Sequence, residues 1–200
     1  MMKLRSLSIL AGFSLLATSC ATFPNNRLPK VAAQAPANVK KVPVTYTMEA
    51  GHNLTGSHTE YGAEQVKKLQ SPLAAALEES GRFSSVREGK GGAVHVDVDM
   101  LNHGNAAAAA ISGFITGFSF FTIPGFANDN YKLTATARTS SGKSRQYVLE
   151  DGVTTVFWLP MIVATPFAFP TQVIPKVQGN MYRNLIQNME NDGILPKASN

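Results

Sequence analysis

Two long stretches without a single charged side chain set the strongest limit on how this chain can fold. Residues 104–128 and residues 152–175 contain no Asp, Glu, Lys or Arg. By length each could form a membrane-spanning helix, which needs about 20 apolar residues. However, the second stretch holds four prolines, and the first contains Pro124 followed by Gly125. Because proline disrupts a helix interior and Pro-Gly favours a turn, straight spanning helices are not the favoured interpretation.

The rest of the chain shows the apolar periodicities of a small α+β domain. Apolar residues alternate with polar ones at period two in the strand segments and recur at helical spacing in two others. The pattern predicts the order β-α-β-β-β-α, with strands 42–48, 94–101, 131–139 and 144–151 and helices 60–80 and 173–190. We expect an α+β fold in which two helices cover one face of a mostly antiparallel four-stranded sheet.

In this topology both uncharged stretches are apolar excursions that leave the sheet at one end and return to it. Each then forms two limbs of about 12 residues, or ~18 Å as helix. The hydrocarbon core of a bilayer is ~30 Å thick, so such limbs can enter one leaflet without crossing. Four interpretations follow: a re-entrant or interfacial lobe, burial in an ordinary core, spanning helices, or a partner-binding groove. The candidates for membrane or ligand contact are aromatic: Phe118, Phe120, Phe121, Phe157 and Trp158.

The first twenty residues have the layout of a secretion signal. Lys3 and Arg5 precede an uncharged apolar run over 7–17, and two small residues come before Cys20. This run is too short and wrongly flanked for a spanning helix. We therefore predict a cleaved signal peptide over residues 1–19. Cys20 is the only cysteine of the chain, so neither a disulfide nor a cysteine metal site is expected.

The run 16–20 (LATSC) resembles the lipobox of bacterial lipoproteins, although Ala17 stands where Leu or Val is usual. In that family the cysteine thiol carries diacylglycerol, the chain is cut just before the cysteine, and the new amino group is often acylated. The resemblance implies covalent diacylglycerol and an N-acyl chain at Cys20, with membrane lipid as the partner. Ala21, where Asp would retain enteric lipoproteins at the inner membrane, implies a lipid anchor in the outer membrane, facing the periplasm.

A weaker resemblance covers the apolar region. Residues 115–126 leading into 131–135, followed by Trp158-Leu159-Pro160, resemble a pattern in small uncharacterised Gram-negative envelope lipoproteins. No known activity comes with this pattern, which spans roughly residues 90–170.

Positive charge is concentrated near the start of the chain. The net charge is +5, but from Val42 onward 12 Lys and Arg face 13 Asp and Glu. The domain therefore offers no basic patch for nucleic acid. Residues 20–42 are rich in Ala, Asn, Pro and Lys without apolar period, and we interpret them as the lipidated cysteine and a flexible tether. Residues 43–200 are predicted to form one periplasmic domain.

Motifs that carry chemistry are not apparent. The sequence has no GxSxG, HExxH or P-loop pattern. His95, Asp97 and Asp99 share one strand face, with His103 beyond, but neighbours at i and i+2 stand nearly 7 Å apart along a strand. A polar surface is the favoured interpretation, with two cations as partners for the aspartates: Lys132 and Arg138. No catalytic residue, metal site or non-covalent cofactor is predicted.

The sequence thus favours a non-enzymatic, membrane-anchored lipoprotein of the cell envelope. We expect an assembly or interaction factor that binds an envelope protein. The alternative is a periplasmic carrier that uses the apolar residues as a pocket for lipid or another hydrophobic ligand.

Replacement of Cys20 tests the lipoprotein assignment. Cys20→Ala removes the thiol to which diacylglycerol is attached, so the variant should stay unlipidated and uncut by the lipoprotein signal peptidase. Incorporation of labelled fatty acid and gel mobility of the precursor measure both steps. Normal processing and membrane retention of the alanine variant would contradict the assignment.

Overall fold

The structure, a computed structural model, describes residues 20–32, 39–54 and 56–196. The predicted signal peptide, residues 1–19, lies outside this range. Within the described residues the strands are β1 (Cys20–Pro24), β2 (Val42–Asn53), β3 (His58–Glu60), β4 (Phe83–Glu88), β5 (Val94–Gly104), β6 (Gly125–Thr139) and β7 (Ser144–Phe157). The helices are α1 (Ala63–Glu79), α2 (Ala106–Phe118) and α3 (Pro170–Asn191), with a 3₁₀ turn at Leu159–Val163.

The strands form one mixed sheet in the order β1-β7-β6-β5-β2-β3, and β4 also pairs with β2. β5, β6, β7 and β1 pair antiparallel in succession, whereas β2 runs parallel to both β5 and β4. The α+β class is as predicted. The prediction of a mostly antiparallel four-stranded sheet is wrong in detail, because the described residues form a seven-stranded mixed sheet.

The parallel pairing and the additional strands have weak sequence signals. β2, α1 and β4 form a helical crossover, the connection that parallel neighbours require. β4 has a single buried residue, Phe83, and all three residues of β3 are exposed. Short strands with so few apolar positions show no period-two pattern, so the periodicity detected only the four long strands.

The core lies between one face of the sheet and two helices. Every second residue is buried over 94–100 of β5 and over 131–137 of β6, as expected when side chains alternate between the faces of a sheet. α1 and α3 place their apolar stripes on this face and against each other. The largest fully buried side chains include Leu73 and Leu77 of α1, Met100 and Leu133 of the sheet, and Tyr182, Leu185 and Met189 of α3. Both helices therefore cover one face, as predicted.

The prediction of a flexible tether over residues 20–42 is wrong for residues 20–32. Cys20–Pro24 forms an edge strand that pairs with β7. The next residues, 25–32, lie against the rest of the protein. Side chains of α3 bind their backbone: Asn184 Nδ2 donates to Pro29 O at 3.0 Å, and Arg183 Nε donates to Val31 O at 3.0 Å. Composition could not reveal this, because the partners are side chains about 150 residues away. Residues 33–38 lie outside the described part of the chain.

The second residue of β1 is already buried in the structure. Ala21 is fully buried, and the neighbouring Thr22 hydroxyl, also fully buried, forms a 2.8 Å hydrogen bond with the Thr155 hydroxyl. A carboxylate at Ala21 would therefore lie in a site without solvent.

We predict that Ala21→Asp destabilises the mature protein by roughly 3–5 kcal/mol, the effect of an uncompensated buried charge. Urea unfolding followed by circular dichroism measures this loss. Ala32→Asp makes the same substitution at an exposed position of the same segment and should leave the midpoint nearly unchanged. Equal midpoints for the two variants would contradict the burial of this strand. A sorting test based on Ala21→Asp would for this reason also report a change in stability.

Candidate functional site

The sheet extends beyond β5 at one end. β5 ends at Gly104, which pairs with Asp129, whereas β6 and β7 continue to the pair formed by Gly125 and Phe157. α2, the turn 119–124, the 3₁₀ turn and residues 164–169 surround this extension. We call these segments, with residues 125–128 and 153–158, the apolar lobe. Both apolar excursions thus lie at one end of the sheet, as the topology predicted.

Small side chains allow α2 to pack against β6. A Cβ atom at Gly125 would collide with the Thr116 hydroxyl oxygen. Ser112 Oγ accepts a hydrogen bond from Phe126 N at 2.7 Å, and Thr116 Oγ1 donates to Ser112 O at 2.8 Å. Asn105 begins the helix, because its side-chain oxygen accepts from Ala108 N at 2.8 Å. The side of α2 that touches the sheet is therefore small and polar, which leaves its large apolar side chains directed elsewhere.

Hydrogen bonds join the two halves of the lobe. Leu159 N donates to Phe121 O at 2.9 Å, and Trp158 Nε1 donates to Thr122 O at 3.1 Å. The turn after α2 and the turn after β7 thus form one continuous structure, although they are separated by more than 30 residues.

The lobe carries an exposed apolar surface. Among the described residues, thirteen large apolar side chains are exposed, and eleven of them belong to the lobe. Phe23 of the adjacent strand β1 is the twelfth, and Val148 lies elsewhere. The eleven are Ile111, Phe114, Ile115, Phe118, Phe120, Ile123, Phe126, Leu159, Val163, Phe167 and Phe169. Such a concentration of exposed apolar side chains marks an interaction surface, since soluble domains rarely leave large apolar patches uncovered.

The structure separates the predicted contact residues into two groups. Phe118 and Phe120 are 79% and 75% exposed. Phe121, Phe157 and Trp158 are half-buried and hold the lobe together. Phe114 was not among the residues predicted to contact a membrane or ligand, although it is strongly exposed. The sequence did contain a signal for Phe114, because it stands four residues before Phe118 on one face of a helix. In the structure the two rings stack with centroids 6.2 Å apart.

The turn after α2 is strained. Phe120 and Phe121 have φ angles of 52° and 61°, a left-handed conformation that is an outlier for bulky residues. Phe121 N donates to Thr116 O and Phe120 N to Gly117 O, the pattern that usually ends a helix with glycine. The two aromatic residues hold this conformation at a cost of roughly 1–3 kcal/mol each. The Phe120 ring on this strained turn is exposed to solvent. Strained residues are often found where the strain serves a function.

Cys20 lies beside the apolar lobe. It pairs with Phe157 at the end of β7, and its carbonyl oxygen accepts a hydrogen bond from Thr165 Oγ1 at 2.8 Å. Thr22 N donates to Ala168 O at 2.7 Å, which covers the outer edge of β1. The cysteine is half-buried, and burial raises the pKa of its thiol. The candidate lipidation site and the exposed apolar surface therefore occupy the same end of the molecule.

Among the described residues, no helix is long and apolar enough to cross a membrane. α2 has 13 residues, or ~20 Å at 1.5 Å per residue.

The polar face of the sheet holds a connected side-chain network. Asp97 accepts hydrogen bonds from Thr47 Oγ1 at 2.7 Å and from Arg138, and lies 2.9 Å from His95 Nε2. Thr45 Oγ1 lies 2.9 Å from His95 Nδ1 and donates to Gly91 O, so its proton is already engaged. Of the two predicted cation partners, Arg138 pairs with Asp97. Within the described ranges, no group of three His, Cys, Asp or Glu residues could hold a metal ion.

Comparisons with known proteins yield structural likeness only. No family model matches the chain, and no curated protein matches its sequence. Protein XCC0632 of Xanthomonas campestris, described under the family model DUF330, aligns at 10% identity over 80% of this chain and 89% of its own, with a TM-score of 0.39. A PelC dodecamer of Paraburkholderia phytofirmans aligns at 9% identity over 83% of this chain and 97% of its own, with a TM-score of 0.34. Likeness at this level assigns neither a family nor a function.

The Asp97 network predicts a contribution to stability that depends on pH. The hydrogen bond from Thr47 lowers the pKa of Asp97, and His95 and Arg138 lower it further against the effect of burial. The ionised carboxylate therefore stabilises the folded state above its unfolded pKa of about 3.9, and this contribution disappears as the pH falls through the lower folded pKa.

Asp97→Asn should accordingly lose stability at neutral pH and converge on the wild type at pH values well below 4. Thermal unfolding between pH 2 and pH 7 measures the difference. Asp99→Asn, an exposed carboxylate on the same strand face, is the matched control for the loss of one charge. A constant difference between wild type and Asp97→Asn over this range would contradict the network.

Proposed function

We propose that this chain is a non-enzymatic lipoprotein of the cell envelope, an assembly or interaction factor that sits on the membrane through its apolar lobe. Acyl chains on Cys20 supply the anchor, and the lobe enters the same leaflet beside it. The chain is expected in the outer membrane, facing the periplasm. The observation that carries the proposal is the position of Cys20 at the lobe, which would place the lipid anchor and the exposed apolar surface in one plane.

The distribution of charge supports this orientation. Residues 104–128 and 152–175 are uncharged, and so is β1. The charged residues that border these segments include Arg27, Asp129, Asp151 and Lys176. An uncharged lobe bordered by charges matches the change from hydrocarbon to head groups. The half-buried Trp158 lies within the lobe, and indole rings are enriched at this interface.

The direction of the exposed side chains favours a docking surface over a carrier's pocket. A carrier would enclose its ligand, since binding sites bury most of the surface of a small molecule. Phe114, Phe118 and Phe167 instead project into solvent, each more than 70% exposed. The lobe therefore supports the interaction factor more strongly than the alternative of a hydrophobic-ligand carrier.

A polar surface remains for a protein partner. On the sheet face opposite the core, β2, β5, β6 and β7 present half-buried or exposed side chains that are mostly polar or charged. Examples are Asp97, Arg138 and Glu150. In the proposed orientation an envelope protein would contact this polar face while the lobe remains in lipid.

Membrane association through the lobe is testable without the lipid anchor. The mature chain with Cys20→Ser should float with liposomes in a density gradient. Adding Phe118→Asp and Phe120→Asp should lower the partition coefficient at least a hundredfold, because each charge in hydrocarbon costs roughly 2.5–3.5 kcal/mol. Both side chains are more than 70% exposed, so the circular dichroism melt should not move to lower temperature.

Val148→Asp is the matched control for this experiment. Val148 is 54% exposed and lies outside the lobe, so the same substitution there should leave flotation intact. The proposal fails when the unlipidated chain does not float, or when it floats equally well with both aspartates in the lobe. The segment 20–32 must be present throughout, because it forms β1 and packs on α3.

A further inference from the structure

A cavity of about 420 Å³ lies between the segment after β1 and one face of α3. This volume is within the usual range for small-molecule sites, ~300–1,000 Å³. The wall formed by α3 consists of residues at positions 173, 176, 177, 180 and 183, which share one helix face because they are three or four residues apart. The opposite wall is the segment whose backbone is held by Asn180, Arg183 and Asn184.

The cavity has an excess of positive charge. Lys30, Lys176 and Arg183 line it, whereas Asp151 is the acidic residue among its lining. Asp151 Oδ1 already accepts hydrogen bonds from Arg27 N at 3.2 Å and from Gly152 N at 2.8 Å, and the residue is 2% exposed. The carboxylate is therefore engaged with backbone donors.

The cations, by contrast, have unused donors. Within the described ranges the ammonium groups of Lys30 and Lys176 form no ion pair or hydrogen bond. Arg183 Nε donates to Val31 O at 3.0 Å, while its terminal nitrogens make no such bond. Three cations line this cavity, and its carboxylate, Asp151, is already engaged with backbone donors. Such a set suits an anion with several acceptor oxygens, such as a phosphate.

Part of the apolar lining, Val173 and Pro24, lies toward the lobe, whereas Val31 and Val177 lie farther from it. Val173 is in the first turn of α3, next to residues 164–169, and Pro24 ends β1. Arg183 follows ten residues after Val173, ~15 Å farther along the helix. Lys176 lies between them, three residues after Val173, so the cations are spread along the cavity. A ligand whose phosphate lies at the Arg183 end has an apolar end beside Val173 and the lobe.

We propose that this cavity binds the phosphate-bearing head group of an anionic phospholipid, with its acyl chains directed toward the apolar lobe. That the ligand is a lipid and not a free phosphate ester rests on the proposed membrane position. The recognition itself rests on the cations of the cavity, and free phosphate esters share that chemistry.

Lipid binding can be measured on the lipidated full chain, purified in non-ionic detergent. Native mass spectrometry after addition of phosphatidylglycerol should retain one molecule per chain, and phosphatidylcholine should not be retained. Lys30→Gln with Lys176→Gln should weaken phosphatidylglycerol binding at least tenfold, because both ammonium groups would be lost. Lys67→Gln with Lys90→Gln removes the same charge from exposed positions outside the cavity and should leave binding unchanged.

A second arm distinguishes the two sources of phosphate. In phosphorus NMR titrations, glycerol 3-phosphate that binds as tightly as phosphatidylglycerol would show that the free ester suffices, whereas binding of the lipid alone would identify the lipid as the ligand. Absence of stoichiometric binding by either compound, or equal losses in the cavity and control variants, would overturn the proposal. These measurements need no bilayer, so a failure of liposome flotation with intact cavity binding would contradict the lobe proposal alone.

Discussion

Pairing of β1 with the end of β7 is the interaction on which the rest of the architecture depends. It places Cys20 opposite Phe157, at the apolar end of the sheet. It also gives the turn over 164–169 a strand edge to cover, through the bond from Thr22 N to Ala168 O. Without this strand, the extension of β6 and β7 beyond β5 would have an unpaired edge next to exposed phenylalanines, an arrangement that favours aggregation.

Because β1 is part of the sheet, a lipid anchor at Cys20 would restrict the domain more than an anchor on a flexible tether. A flexible tether of about 20 residues would let the domain move tens of ångströms from the membrane. Here the described part of that segment is a strand followed by a backbone fixed to α3 by Asn184 and Arg183. An acyl-bearing Cys20 would then hold the domain close to the surface in one orientation. The lobe and the cationic cavity would both lie near that surface, one suited to hydrocarbon and the other to head groups.

The core face, the apolar lobe and the polar face differ in how closely they follow the usual rules of burial and backbone conformation. The core face follows simple rules, with alternating apolar residues under two amphipathic helices. The lobe departs from them, since bulky side chains are exposed and Phe120 and Phe121 adopt left-handed backbone angles. Departures from local rules are expected where a surface serves binding, because stability there is balanced against function. The polar face follows these rules again, because Asp97 accepts hydrogen bonds from residues on the two adjacent strands.

The sequence by itself determined the long elements and the α+β class, because alternation and helical stripes such as Val94 to Met100 record which side chains are buried. It also indicated that the excursions share one end of the sheet, since that follows from strand direction. Only the tertiary structure decided that residues 20–32 are fixed, that β2 lies parallel to β5, and that Phe118 is exposed while Phe121 packs inside the lobe. These features depend on partners distant in the chain, such as Phe157 for Cys20 and Asn184 for Pro29, and local periodicity carries no information about such contacts.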